Sequence, residues 1–348
     1  MGMPIGSPLE IRSNSSYDFC PMKKPARQSL LNWYQDNRRP LPWRENPNPY
    51  SIWLSETMLQ QTTIQVVIPY YEKFLALFPR IETLACAQES KVLKAWAGLG
   101  YYSRARNLHR AAKALHQLGY FPQTYGELLK LPGFGPYTSR AVSSIAFGER
   151  VGVLDGNVIR LLSRYHGKDV EWWKPAGRQV LQDLADKVVL DFPPGDMNQA
   201  MMDLGSTICS KTRPLCALCP LHRSCLGLKQ DLVAQLPRKK PRKAKEVWVW
   251  EPEVWLRNNK VALHWNESQV PFLKKRWLLP GIARQLKQKP TAFVFRHSIT
   301  HHDIYVTPVR KKGRRPDKDW QWVPVRDIAE WIPASLVKKT LHHSDIHV

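Results

Sequence analysis

Cysteine is scarce in this chain. There are six in 348 residues, and four of them fall between Cys209 and Cys225. A supply this sparse and this local excludes a disulfide-framed extracellular scaffold, and in a reducing compartment it suggests metal ligation. Long apolar runs are missing as well. No stretch approaches the ~20 apolar residues of a membrane span. The first twenty residues carry Glu10, Arg12 and Asp18 and lack the apolar run of a signal peptide. They read as a disordered leader over residues 1–22, with Met22 as an alternative start. Acidic residues are also in short supply. Twenty-nine Asp and Glu face 52 Lys and Arg, a net charge of +23. That excess favours a polyanionic partner, because each phosphate neutralised releases condensed counterions. A merely soluble basic protein is the plainer alternative.

What is present describes an ordinary globular chain, long enough for two domains with cores of their own. Residues 22–50 are polar and proline-rich, with a helix expected at Ala26–Asn37. From Tyr50 to about Gly148 the pattern is helical. Ala105, Leu108, Ala112, Leu115 and Leu118 fall at spacings of three and four, one face of a helix. Ile52–Phe78 is also expected to be helical, with a break at Pro69. Val180, Leu181, Leu184 and Val188 make a further stripe. The basic, proline-bearing segment from Leu236 to Glu246 has no periodicity and reads as linker. Beyond it Val247–Trp250, Val254–Leu256, Thr291–Arg296 and Asp303–Val309 are short β-prone runs. The whole divides into a leader at 1–22, a mostly α region at 23–228 (one part about 51–148, another 23–50 plus 149–228), a linker at 229–246 and a small α+β domain at 247–348.

Cys209, Cys216, Cys219 and Cys225 are spaced Cys-x6-Cys-x2-Cys-x5-Cys. Four thiolates on a short loop can close around an iron–sulfur cubane. Structural zinc also accepts four cysteines, although it usually pairs two short knuckles and only one is present. Lys211 and Arg213 inside the loop could face a phosphate backbone or simply be solvated. Cys20 and Cys86 read as a leader thiol and a buried small hydrophobe.

Leu131-Pro-Gly-Phe-Gly-Pro-Tyr-Thr138 lies between two helical stretches, Tyr125–Lys130 and Pro136–Phe147. Gly133 and Gly135 permit a tight turn close to a ligand, and Pro136 suits a first helical position. Such a turn aims free N–H groups and a helix N-terminus outward, where they can hold phosphate; a plain helix connector is the alternative. Glu56 sits among Trp53, Leu54, Met58 and Leu59. A carboxyl held there would have a raised pKa and could donate a proton. Asp155, in Val153-Leu-Asp-Gly-Asn-Val158, stands where a helix cap would also stand. A surface Glu and a capping Asp are the plain readings of each alone. Together, one protonated and one ionised carboxyl make the pair that cleaves glycosidic bonds.

The cysteine spacing, the Leu-Pro-Gly-x-Gly hairpin and Leu154-Asp-Gly-Asn-Val158 together resemble the helix-hairpin-helix DNA glycosylases related to endonuclease III. Leu41-Pro-Trp-Arg44, Trp53-Leu-Ser-Glu-x-Met-Leu-Gln-Gln-Thr62, Gly98-Leu-Gly-Tyr-Tyr-Ser-Arg104 and Asn198-Gln-Ala-Met-Met-Asp-Leu-Gly205 are similar to the adenine DNA glycosylases, the MutY family, over residues 27–228. The resemblance implies a helix-hairpin-helix glycosylase with a [4Fe-4S] cluster loop on Cys209, Cys216, Cys219 and Cys225, followed by a Nudix-like C-terminal domain. It implies excision of adenine mispaired with 8-oxoguanine or guanine in double-stranded DNA, as a monomer in the cytoplasm beside the nucleoid. Glu56 matches the general acid, Asp155 the carboxylate that stabilises the sugar cation, Tyr137 the tyrosine beside them and Asn157 an orienting asparagine. Arg44 matches a residue near the flipped adenine, Gln61 and Tyr101 the residues that wedge into the stack, with Thr62 and Leu99 alongside. Bifunctional relatives of endonuclease III carry a lysine where Tyr137 stands, so a monofunctional hydrolase is expected; Lys130 does not match. No Nudix box is found in 247–348, so pyrophosphohydrolysis is not expected. His297-Ser-Ile-Thr-His301 stands where the family has a lesion-recognition loop of the form His-x-Phe-Ser-His, which would put Ile299, Thr300 and His301 at the lesion; a strand-edge turn is the alternative. Another base specificity on the same fold, thymine or oxidised pyrimidine, and a non-catalytic lesion-binding module are the competing functions. His302, His342, His343 and His347 show no paired ligand spacing and read as exposed histidines.

Overall fold

The computed structural model describes residues 21–45, 47–241, 244–312, 320–332 and 334–347. The chain divides into two compact units, residues 1–240 and 241–348. Within the described residues no helix is long and apolar enough to cross a membrane.

The first unit is helical and holds two hydrophobic cores. One gathers Trp53, Leu54, Met58, Phe74, Trp96, Leu108 and Phe134, and it also takes in Leu41, Trp43 and Tyr50 from the segment expected with the other part. The second gathers Leu30, Tyr34, Val158, Leu162, Leu181, Leu184, Met201 and Leu204. Met22 belongs to this second core, 2% exposed, so the expected leader does not run to residue 22; residues 1–20, Cys20 among them, lie outside the described residues.

The helix Pro49–Leu59 is the axis of the first core. Asn48 caps it, accepting from the Ser51 N–H at 2.9 Å while the Asn48 N–H donates to the Ser51 hydroxyl at 3.0 Å. Every residue from Tyr50 to Met58 is buried, so this helix has no solvated face. It ends at Gln60, and Gln61 takes a left-handed φ of 61°. The next helix, Ile64–Leu77, runs straight through Pro69. The expected break is therefore at Gln60–Thr63 and not at the proline. Val67, Tyr71 and Phe74 bury the helix on both sides of Pro69, and that packing outweighs the one lost backbone bond.

The helix Tyr102–Leu118 buries Ala105, Leu108, Ala112 and Leu115 as its stripe predicts; Leu118 is exposed at the last turn. Tyr125–Leu128 and Pro136–Phe147 flank the hairpin. Gly133 has φ 78°, and a Cβ there would lie 2.5 Å from Asn107 Cβ. Between the two glycines Phe134 turns inward and stacks on Trp53, centroids 5.1 Å apart. The hairpin is thus fastened to the central helix by its middle residue, with its backbone outside.

The segment expected as linker begins too early. Residues up to 240 belong to the first unit, Leu236 is 3% exposed, and Arg164 Nε donates to its carbonyl at 2.9 Å. Arg238 pairs with Asp169 at 2.7 Å. Cys86 is exposed, so it is not the buried hydrophobe its type suggests.

The second unit is built on strands β1 (Glu246–Arg257), β2 (Lys260–Asn266), β3 (Arg276–Leu278), β4 (Gly281–Leu286), β5 (Phe295–Ile299), β6 (His302–Val306), β7 (Val309–Lys311) and β8 (Gln321–Pro324). β1 is one twelve-residue strand where two short ones are expected. It pairs antiparallel with β4, parallel with β6 and then β7, and turns through Asn258 and Asn259, both at positive φ, into β2. Thr291–Val294 are not strand; β5 begins at Phe295. The helix Ser335–His342 closes the core with Leu336, Val337 and Leu341.

Phe134→Ala removes the stacked ring and is expected to cost about 3–5 kcal/mol. Chemical denaturation measures it, and a loss below about 1 kcal/mol would show that the hairpin is held by something else.

Candidate active site

Three elements of the first unit bring the ionisable groups together. The central helix supplies Glu56, the N-terminus of Pro136–Phe147 supplies Tyr137, and the N-cap of Gly156–Tyr165 supplies Asp155. The Tyr137 hydroxyl donates to Glu56 Oε2 at 2.5 Å. Glu56 is 7% exposed. Burial pushes its carboxyl up to about 7; the Tyr137 hydrogen bond opposes this, the Asp155 charge adds to it, and the Arg44 charge opposes it. Tyr137 is pushed well above its ordinary value by burial and by both carboxylates, so it stays a phenol and a donor.

Asp155 has a different setting. Burial pushes it up, against the Val158 N–H and the Asn157 amide. Its Oδ1 accepts from Val158 N at 2.7 Å and its Oδ2 from Asn157 Nδ2 at 2.9 Å. Both oxygens therefore meet donors at a helix N-terminus, which favours the anion. Asp155 is a helix cap whose charge also acts on Glu56, so capping does not take it away from the carboxyl pair.

Arg44 is held on its far side. Asp203, 2% exposed, receives Nη1 at 2.8 Å and Nη2 at 3.1 Å, while Nε donates to Gln199 Oε1 at 2.8 Å. The guanidinium also lies over the Tyr34 ring at 5.5 Å. Burial pushes Asp203 up, but the hydrogen bonds from Arg44 and Arg39 outweigh it and hold the carboxyl below its ordinary value.

Gln61 and Tyr101 both protrude, each at a positive φ, and Tyr101 is 59% exposed. Thr62 is half-buried. Leu99, expected alongside them, is instead 6% exposed and belongs to the core. Gly135 caps Pro136–Phe147 without any side-chain cap, and Pro136 fills the first turn. The helix thus leaves first-turn N–H groups for an anion.

Two arginines were given no role by sequence reasoning and organise the site. Arg104 is buried beneath the two protruding turns. Its Nη1 donates to the carbonyls of Thr57, Met58 and Gln60 at 3.0, 2.9 and 2.6 Å, and its Nη2 to those of Leu99 and Gly100 at 3.3 and 3.4 Å. One guanidinium thereby satisfies the C-terminal carbonyls of the central helix and ties them to the Tyr101 turn. Arg160 does the same at the other edge. It donates to Asn157 Oδ1 at 2.9 Å, to Gly205 O at 2.5 Å and to Cys209 O at 2.7 Å. Arginine at helix spacing behind a motif is the only signal that could have marked them.

Cys209, Cys216, Cys219 and Cys225 are all free and half-buried. They line one largely apolar cavity with Leu161, Arg164, Tyr165, Ile208 and Leu221. Burial and the neighbouring sulfurs push Cys216, Cys219 (to about 11) and Cys225 up. Four convergent sulfurs suit a shared metal group, and Arg164 Nη1, 3.4 Å from Cys209 Sγ, suits the negative charge that four thiolate ligands would bring. Lys211 and Arg213 are exposed on this loop.

In the second unit the expected recognition loop is the tight turn between β5 and β6. Thr300, φ 52°, is exposed; His301 is half-buried; Ile299 packs partly against the core of that unit.

Residues 54–189 match the model of the HhH-GPD superfamily base excision DNA repair proteins. The chain is 34% identical over 302 residues to the adenine DNA glycosylase of Buchnera aphidicola subsp. Baizongia pistaciae, covering 81% of this chain and 84% of that one. It is 43% identical over 210 residues to the human adenine DNA glycosylase, covering 57% of this chain and 38% of that protein. A thermostable thymine-DNA glycosylase superposes with a TM-score of 0.54 at 28% identity, covering 59% of this chain and 95% of that one. Endonuclease III in a non-covalent DNA complex has the same fold, with a TM-score of 0.50 at 22% identity over 59% of this chain and 94% of that one.

Replacing Arg104 with Gln should cost about 2–3 kcal/mol, since charged hydrogen bonds to buried carbonyls are lost. Amide exchange at residues 57–62 and 97–101 is expected to rise together; a rise in one segment alone would show that the turns are held independently.

Proposed function

The chain belongs to the adenine DNA glycosylase family of base-excision repair enzymes, and from that premise we propose that it removes adenine mispaired with 8-oxoguanine or guanine by hydrolysing the N-glycosidic bond. The observation that carries the mechanism is the Tyr137–Glu56 hydrogen bond in a dry site. With Oε2 engaged by Tyr137, Oε1 is the oxygen left to hold a proton. A carboxyl near pH 7 is poised to give that proton to the adenine ring, so that the base leaves neutral. Asp155, bonded through both oxygens, remains the anion that stabilises the sugar cation. Asn157 orients it. Glu56, once deprotonated, then accepts the proton of the attacking water.

Gln61 and Tyr101 fit the work of holding the duplex open, because they protrude from turns that Arg104 makes rigid. Unstacking costs a few kcal/mol, which an inserted side chain offsets in part. Arg44, whose charge acts on Glu56, would lie near the flipped adenine, with Thr62 beside the wedge. The Gly133–Gly135 hairpin and the cysteine loop with Lys211 and Arg213 would hold phosphates. Tyr137 offers no amine, so no Schiff base is formed with the sugar, and the enzyme is monofunctional.

Cys209, Cys216, Cys219 and Cys225 would hold a [4Fe-4S] cluster. They converge on one largely apolar cavity with Leu161, Tyr165, Ile208 and Leu221, and four cysteines match a cubane whose irons each need one sulfur ligand. The cluster would supply a structural knot. Arg160 carries its position to Asn157 and so to Asp155. In the second unit, Thr300 and His301 would contact the 8-oxoguanine opposite, with Ile299 in a supporting place because it is partly packed into the core.

Excision of adenine from an adenine·8-oxoguanine duplex tests the reading. Glu56→Gln is expected to lower the single-turnover rate about 10²–10⁴-fold with duplex binding retained. Borohydride should trap no adduct with the wild type. Undiminished turnover in the variant, or a trapped adduct, would overturn the mechanism.

A further inference from the structure

The second unit carries a side-chain cluster that the glycosidic chemistry does not use, one member of which, His301, is also the proposed lesion contact. Glu246 opens β1 and His302 opens β6, side by side in parallel register. The Glu246 N–H donates to the His301 carbonyl at 2.8 Å, so the backbone fixes all three residues at one end of the sheet. His301 Nε2 lies 3.4 Å from Glu246 Oε1, and His302 Nε2 lies 3.3 Å from Oε2. One ligand atom from each residue falls within 4.8 Å of the other two.

The hydrogen bonds around the cluster decide which atoms face it. The Thr300 hydroxyl donates to Ile299 O at 2.7 Å, so its oxygen is left to accept, and His301 Nδ1 lies 3.4 Å away. In the tautomer with its proton on Nδ1, shared with that oxygen, His301 turns its Nε2 lone pair toward a carboxylate oxygen. Two such lone pairs repel unless a proton or a cation stands between them. His302 Nδ1 is buried with no hydrogen-bond partner among the described residues, so Nε2 is the atom this ring presents. Trp248 Nε1 donates to Glu246 Oε2 at 3.0 Å and orients the carboxylate, as an outer partner of a metal ligand does. Lys274 is the cation that acts on His302, while Lys245 and Arg296 are engaged by Asp303 at 3.1 and 2.7 Å. His301 and Glu246 are about one-third exposed, so solvent reaches the cluster.

We infer that Glu246, His301 and His302 form a binding site for a divalent transition metal, best suited to zinc, with a coordination position open to solvent. Two imidazoles and one carboxylate are a donor set that zinc accepts at about 2.0–2.2 Å, and a small rotation of either ring closes the present spacing. A bound ion would engage His301 Nε2 and pin the β5–β6 turn.

The test is a calorimetric zinc titration of the full chain, purified with its cysteine site filled. One zinc per chain is expected. Affinity should fall at least tenfold in Glu246→Gln and in His302→Gln, and stay unchanged when His342 and His347, an exposed pair with rings 5.4 Å apart, are both replaced by Gln. On the wild type, zinc should protect His301 and His302 from diethylpyrocarbonate, read by peptide mass spectrometry, which keeps the test independent of how the variants fold. Absence of zinc binding, binding unaffected by Glu246→Gln and His302→Gln, or protection confined to other histidines would overturn the assignment.

Discussion

A carboxyl group that is to hold a proton at neutral pH must be kept from water, and Glu56 is kept from water by the helix it sits on. Pro49–Leu59 is buried at every position from Tyr50 to Met58, and Glu56 is only 7% exposed within it. Desolvation is the largest influence on its protonation, ahead of Tyr137, Asp155 and Arg44. The Phe134–Trp53 stack anchors the hairpin to the same helix, and Tyr137 follows that hairpin directly. Tyr137 therefore reaches Glu56 through the packing that dries it.

Burying a helix from end to end leaves its last carbonyls without water. Arg104 answers that need, and in doing so it joins two protruding turns into one support. Arg160 extends the same logic to Asp155, since it spans from Asn157 to the carbonyl of Cys209. The cysteine loop is thus remote from the chemistry yet mechanically coupled to it. Asp203 completes the pattern by fixing Arg44 from behind. Arg104 and Arg160 work mostly through backbone carbonyls, whereas Asp203 works through the side chains of Arg44 and Arg39.

Much of this was legible in the sequence because its motifs are local. The hairpin, the Asp155 cap and the cysteine spacing each specify their geometry within a few residues. Features decided by distant packing were not legible. Pro69 does not break its helix because Tyr71 and Phe74 are buried beyond it, and Leu99 turns into the core while its neighbour Tyr101 turns out. Leu236 looks like linker until Arg164 takes its carbonyl. The roles of Arg104, Arg160 and Asp203 depend on partners 47, 49 and 159 residues away, which no short pattern records.

The dependence of catalysis on a dry, protonated Glu56 is measured most directly by the single-turnover rate of adenine excision as a function of pH. The active form is the protonated one, and its population falls as pH rises through the raised value. The rate constant should therefore hold level through mildly acidic pH, where Asp155 is still an anion, and decline about tenfold per pH unit above about 7. A rate constant that stays level through about pH 9, or that falls already above about pH 4.5 as an ordinary carboxylic acid would dictate, would contradict the account.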